Sequence, residues 1–137
     1  MQKDAFFNPT NPQQSQNAEK IHHTHSDFFS KDPKKYDGNP FFEGKVEFEH
    51  QGSVLNADIV ILYQEQNFVK AIGNVKLQNP DGTVITAGEM EYDGNTQRGI
   101  ARGNVVLTDP KQTISTDVLY YDRVKNTAYF NSGANKP

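Results

Sequence analysis

The sequence predicts an all-β fold, a meander of antiparallel strands built from units of about 30 residues. Three observations predict it. Glycines recur at Gly44, Gly73, Gly103 and Gly133, spaced by 29, 30 and 30 residues. The first three open matching stretches: Gly44-Lys45-Val46-Glu47-Phe48, Gly73-Asn74-Val75-Lys76-Leu77 and Gly103-Asn104-Val105-Val106-Leu107. Inside each stretch apolar and polar residues alternate, the period-two pattern of a sheet with one wet face. No segment spaces its apolar residues for a helix between caps. A unit this short cannot bury an apolar face alone, so neighbouring units must share a core.

Each element follows from local chemistry. Residues 1–20 are rich in Asn, Gln, Pro and Ser, as in Asn8-Pro9-Thr10-Asn11-Pro12-Gln13-Gln14. They bring little apolar surface to offset ordering entropy and read as a flexible polar arm. Residues 21–137 read as the β-domain. A first strand is expected near 20–27, followed by a turn-rich stretch ending in Asp37-Gly38-Asn39-Pro40. Seven strands then follow near 41–50, 53–63, 67–78, 83–93, 97–108, 112–122 and 126–132. Asn79-Pro80-Asp81-Gly82 and Asp109-Pro110-Lys111-Gln112 are hairpin turns, because Pro fixes a negative φ and Gly82 can take a positive one.

Strict alternation assigns faces. Phe42, Gly44, Val46 and Phe48 point inward, as do Ala71, Gly73, Val75 and Leu77, and Ala101, Gly103, Val105 and Leu107. Lys70, Asn74, Lys76, Arg102 and Asn104 point outward, with Ile72, Ile100 and Val106 as apolar exceptions there. On the return strands Ile59, Ile61 and Tyr63 are expected inside, with Val84, Thr86, Met90, Tyr92, Leu119 and Tyr121. The third unit is one residue shorter before Asp117, so a bulge is expected at that point. Tyr63, Tyr92 and Tyr121 read as rim or core aromatics with bonded hydroxyls.

Composition excludes several functions. A length of 137 residues fits one domain. The 14 basic and 17 acidic side chains leave a net charge of -3 without a clustered basic face, which argues against nucleic acid. No run approaches the roughly 18 apolar residues of a membrane-spanning helix. Cysteine is absent, which removes disulfides and thiolate chemistry. The start, Met1-Gln2-Lys3-Asp4, carries no apolar export signal.

No catalytic constellation is visible, so neither an enzyme activity nor a cofactor is expected. Glu89 and Glu91 read as solvated carboxylates on a wet strand face. His23 and His25 share a strand face beside His22, but Asp27 is the sole nearby carboxylate and a zinc site needs further protein ligands. They read as a solvated strand end, with no metal. His50 stands beside a turn and is expected to be exposed. Lys31, Lys34 and Lys35 form a small solvated basic patch.

The repeated pattern of Ala-x-Gly-Asn-Val-x-Leu, a short turn and an apolar run closing on Tyr-Asp resembles the OstA-like family. These are periplasmic lipopolysaccharide-transport proteins of the LptA type. The pattern runs here from Ala71 to Leu77 with Met90-Glu91-Tyr92-Asp93, and from Ala101 to Leu107 with Leu119-Tyr120-Tyr121-Asp122. The first unit departs from it, with Lys45 in place of Asn. The resemblance covers about residues 41–133 and implies an open, taco-like antiparallel β-jelly roll. It implies an apolar groove that shields lipid A acyl chains, and stacking with itself or other jelly-roll transport proteins through edge strands. Three clear units are fewer than the full bridge protein has, so a complete protein and a segment of a longer one both stay open.

The groove would be lined by Val46, Phe48, Ile59, Ile61, Val75, Leu77, Met90, Val105, Leu107 and Leu119. A chain of about a dozen methylenes shielded there would gain roughly 10 kcal/mol before binding entropy is subtracted. The alternative is a structural β-domain that pairs edge to edge without lipid. An open interior favours the first reading, and a packed interior favours the second.

Overall fold

The computed structural model describes residues 3–8 and 18–131. Gly133 and the arm residues 9–17 lie outside these. Among the described residues there are nine strands: β1 (His22–His25), β2 (Phe28–Ser30), β3 (Phe41–His50), β4 (Ser53–Tyr63), β5 (Phe68–Gln78), β6 (Val84–Asp93), β7 (Arg98–Thr108), β8 (Thr113–Asp122) and β9 (Thr127–Asn131). They form one antiparallel sheet in the order β1-β3-β4-β5-β6-β7-β8-β9, with β2 also paired to β3. The sheet does not close. The strands from Phe41 onward fall where alternation places them; β2 carries no such signal, being only three residues long.

The recurring glycines do more than punctuate. Gly44-Lys45, Gly73-Asn74 and Gly103-Asn104 all have positive φ at both residues. Each pair is a bulge at which the ladder register shifts. The bulges line up across β3, β5 and β7, so the whole sheet bends along one line. At Gly73 an added Cβ would lie 2.7 Å from the Asp58 carboxylate oxygen, so glycine is required by space as well as by φ. Two half-sheets result. One carries the turns 51–52, 79–83 and 109–112, and the other carries the turns 64–67, 94–97 and 123–126.

The inner faces of the halves share one apolar cluster. Val46, Phe48, Val75, Leu77, Met90, Val105, Leu107 and Leu119 belong to it and are nearly solvent-free. The even-numbered strands correct the alternation. Each steps over one residue at the bend, at Asp58, Gly88 or Asp117. The phase reverses there, so Ser53, Leu55 and Ala57 are followed inward by Val60 and Leu62. Ile59 and Ile61 therefore face outward, contrary to the alternation reading, and Tyr63 goes with them. Ile61 is still buried, opposite Phe41 on the outer face, where Tyr36 packs edge-on at 5.0 Å. Likewise Ile85 and Ala87, rather than Val84 and Thr86, share the inner face with Met90 and Tyr92. The bulge expected in the third unit exists, and every hairpin has its counterpart.

The polar-arm reading fails for residues 3–8. A 3-10 turn at Ala5–Phe7 lies on the outer face, where Phe7 packs with Phe68 and Ile100 in a second apolar cluster. Lys3 Nζ donates to the buried Asp93 Oδ2 at 2.7 Å, and Arg98 donates to the Phe6 carbonyl at 2.9 Å. Ile100, an apolar exception on the wet face, is covered by this segment.

Candidate functional site

The enclosed apolar face is the candidate site. Two half-sheets that meet at a bend must also meet, or part, along the opposite side. Along that seam the sequence supplies polar side chains at matched positions. Tyr92 lies at the end of β6 and His50 at the end of β3, in opposite halves, and the Tyr92 hydroxyl meets His50 Nδ1 at 2.9 Å. One unit further on, Asn79 Nδ2 donates to the Tyr121 hydroxyl at 2.9 Å. Both pairs are separated by 42 residues, which marks them as the same device repeated. Ser53 Oγ donates to Asn79 Oδ1 at 2.6 Å and fixes the amide orientation. Arg123, from the opposite half, donates to the carbonyls of His50 and Gln51 at 3.2 and 2.6 Å.

The segment Glu19–Ile21 runs across the seam at its β3 end. The Glu19 carbonyl accepts from His50 Nε2 and from Asn67 Nδ2, each at 2.9 Å, and so bridges both halves. The Ile21 amide donates to Asn67 Oδ1 at 2.9 Å. The Ile21 side chain is buried among Phe48, Leu55, Leu77 and Tyr92. The space left there is about 10 Å³, at the limit for one water. A Cβ on Gly94 would approach Ile21 Cγ1 to 2.9 Å, so glycine at that turn admits the segment.

His50 is thus buried, not exposed as its neighbourhood in the sequence suggests. A carbonyl can only accept, so Nε2 carries the proton shared with Glu19. Nδ1 of the neutral ring then accepts from the Tyr92 hydroxyl. Burial lowers the His50 pKa below its ordinary value of 6.5, and the nearby Arg123 charge adds to this, against the Glu19 carbonyl bond. Burial pushes the Tyr92 and Tyr121 phenols up, so both stay neutral donors and acceptors. Tyr63 takes no part; it lies on the outer face near Phe68. His50 and its partners were not visible in the sequence, because only the bend brings residue 92 to residue 50.

At the two ends of the sheet the apolar face reaches the surface. At one end Phe48 packs on Phe42 at 5.1 Å, and Phe42 on the exposed Phe29 at 5.1 Å. His23 stacks on Phe42 at 4.3 Å. At the other end Phe130 is exposed on β9 opposite the inner residue Leu119. The histidines do not converge: His23 Nε2 meets Ser26 Oγ at 2.9 Å, and His25 lies 3.5 Å from Asp27. Among the described residues no group of three His, Asp or Glu could hold a metal ion. Glu91 pairs with Arg102 at 3.0 Å on the outer face.

A model of the OstA-like protein family matches residues 18–136. Among solved structures, the chain is similar to LptH from Pseudomonas aeruginosa, described as the LptA homologous periplasmic component of the conserved lipopolysaccharide transport device. The TM-score is 0.72 at 16% identity, over 91% of this chain and 90% of that one. At that identity the likeness concerns the fold, an open jelly roll. No curated protein matches the sequence.

Proposed function

The chain belongs to the OstA-like protein family, and we propose that it is a non-enzymatic carrier of lipopolysaccharide, one segment of a bridge across the periplasm. Acyl chains would lie on the face of Val46, Phe48, Val75, Leu77, Met90, Val105, Leu107 and Leu119. The observation that carries this reading is an enclosed apolar face whose sheet, among the described residues, leaves edge strands unpaired at both ends. Such edges offer backbone N–H and C=O groups to another strand, from a second copy or another jelly-roll protein. Holding a lipid there needs burial alone, with neither catalyst nor cofactor.

A second reading is favoured by the filled interior. The eight side chains of that face are each exposed by no more than 4% and are closed off from solvent among the described residues. A dry scaffold that pairs edge to edge would look the same. Photo-crosslinking in cells that make lipopolysaccharide separates the two. A photoreactive side chain at Leu77 or Leu107 should capture lipopolysaccharide, and one at the outward Lys76 should not. Equal labelling at all three positions, or none at any, would remove the lipid reading and leave the scaffold.

A further inference from the structure

If lipid enters this fold, something must yield. The inner side chains already fill the space between the half-sheets, and the void beside Ile21 is only about 10 Å³. The bend cannot part, because there the backbone runs continuously through both halves. The seam can, because side-chain hydrogen bonds and one crossing segment hold it. We infer that Ile21 occupies an alkyl subsite between Phe48, Leu55, Leu77 and Tyr92, and that an acyl chain enters by displacing it as the seam opens.

Ile21 is an aliphatic side chain inserted into an aliphatic and aromatic slot, which is what an acyl chain would also present. Its segment is held by neutral hydrogen bonds, from Asn67 to Glu19, from His50 to Glu19 and from Ile21 to Asn67, while the charged Arg123 guanidinium donates beside it to the His50 and Gln51 carbonyls. Neutral bonds have modest net strength, because water replaces them when they break. The seam is therefore closed by interactions that can be exchanged for water one at a time. The ladder on either side of it cannot be exchanged in that way without unfolding strands. The small residue Gly94 opposite Ile21 lets the segment approach closely without locking it.

The inference depends on the lipid reading, and the test separates their failures. Ile21→Ser removes the internal occupant, and the pair Tyr92→Phe with Tyr121→Phe removes two seam hydroxyls while keeping the rings. Binding of fluorescently labelled lipopolysaccharide is followed by stopped flow in each, after circular dichroism confirms folding. The association rate should rise in both variants, by about tenfold in the tyrosine pair, a factor within the range that loss of two neutral hydrogen bonds implies. Hydrogen exchange without lipid should quicken at Ile21, His50 and Asn67, with the β6–β7 ladder still protected. Wild-type binding with unchanged rates in both variants would overturn the subsite while leaving the carrier reading intact. Faster exchange spread over the whole sheet would also overturn it, since that is general loosening. Lipopolysaccharide bound by none of the proteins would overturn the carrier reading, and the subsite with it.

Discussion

His50 and Tyr92 illustrate how one ring can report on the whole seam. The neutral imidazole suits its partners, because Nε2–H meets a carbonyl and Nδ1 accepts a phenol proton. A protonated ring would have to donate at both nitrogens and sit beside Arg123 in a buried place. The groups facing His50 are Tyr92, Arg123, Glu19 and His22. Since the folded-state pKa lies below the ordinary 6.5, the unfolded chain binds the proton more readily. The stability difference is therefore absent above about pH 6.5 and grows against the fold as pH falls through that value toward the lowered pKa. Melting temperature should drop on moving from about pH 8 to about pH 5, and His50→Phe should flatten that part of the profile. An unchanged slope in His50→Phe would assign the acid sensitivity elsewhere. The Asn79–Tyr121 pair makes a simpler case. Tyr121→Phe leaves an amide proton of Asn79 buried without an acceptor, so urea titration should show a loss of about 1–2 kcal/mol.

At the level of elements, the glycine line is the organising feature, and half of it was legible. The spacing of Gly44, Gly73 and Gly103 located the odd-numbered strands and the repeat. What it did not reveal was the phase change on the even-numbered strands. There the skipped residues are Asp58, Gly88 and Asp117, small or turn-forming residues with no apolar mark to show that the phase changes. Strict alternation therefore puts Ile59 and Ile61 inside, although Val60 and Leu62 hold those positions. The N-terminal segment was illegible for a different reason. Asn, Gln and Pro outnumber two phenylalanines in composition, yet Phe7 is buried against Phe68 and Ile100 with Phe6 packed beside it. Its trace was the apolar Ile100 on a face that should be wet. The bend itself gives a paired prediction. Gly73→Ala puts a Cβ 2.7 Å from Asp58 Oδ2 at φ +85°, and should cost about 2–3 kcal/mol in chemical denaturation. Lys45→Asn places at φ +47° the residue that the other two units use, and should instead raise stability by up to about 1 kcal/mol.

For the molecule as a whole, the apolar face and the sheet edges belong to one problem. Among the described residues, a sheet that bends over its own core buries that core everywhere except at its two edge strands. Four of the six large apolar side chains exposed among the described residues lie there: Phe28 and Phe29 on β2, Tyr129 and Phe130 on β9. Scattered exposed aromatics would need no explanation, but these sit on the edge strands. A strand added to β9 would pair its free backbone groups and cover Phe130, extending the inner face into the added chain. The same geometry at β2 would cover Phe29, so one copy can present β9 to the β2 edge of the next. Such head-to-tail contact does not close on itself and lengthens with concentration. Phe130→Lys puts a charge on the edge, the device by which open sheets resist pairing. Sedimentation velocity over a concentration series should show wild-type protein growing beyond the monomer and Phe130→Lys remaining monomeric, with the melting temperature nearly unchanged because the side chain is already exposed. If both proteins assemble alike, β9 is not the pairing edge.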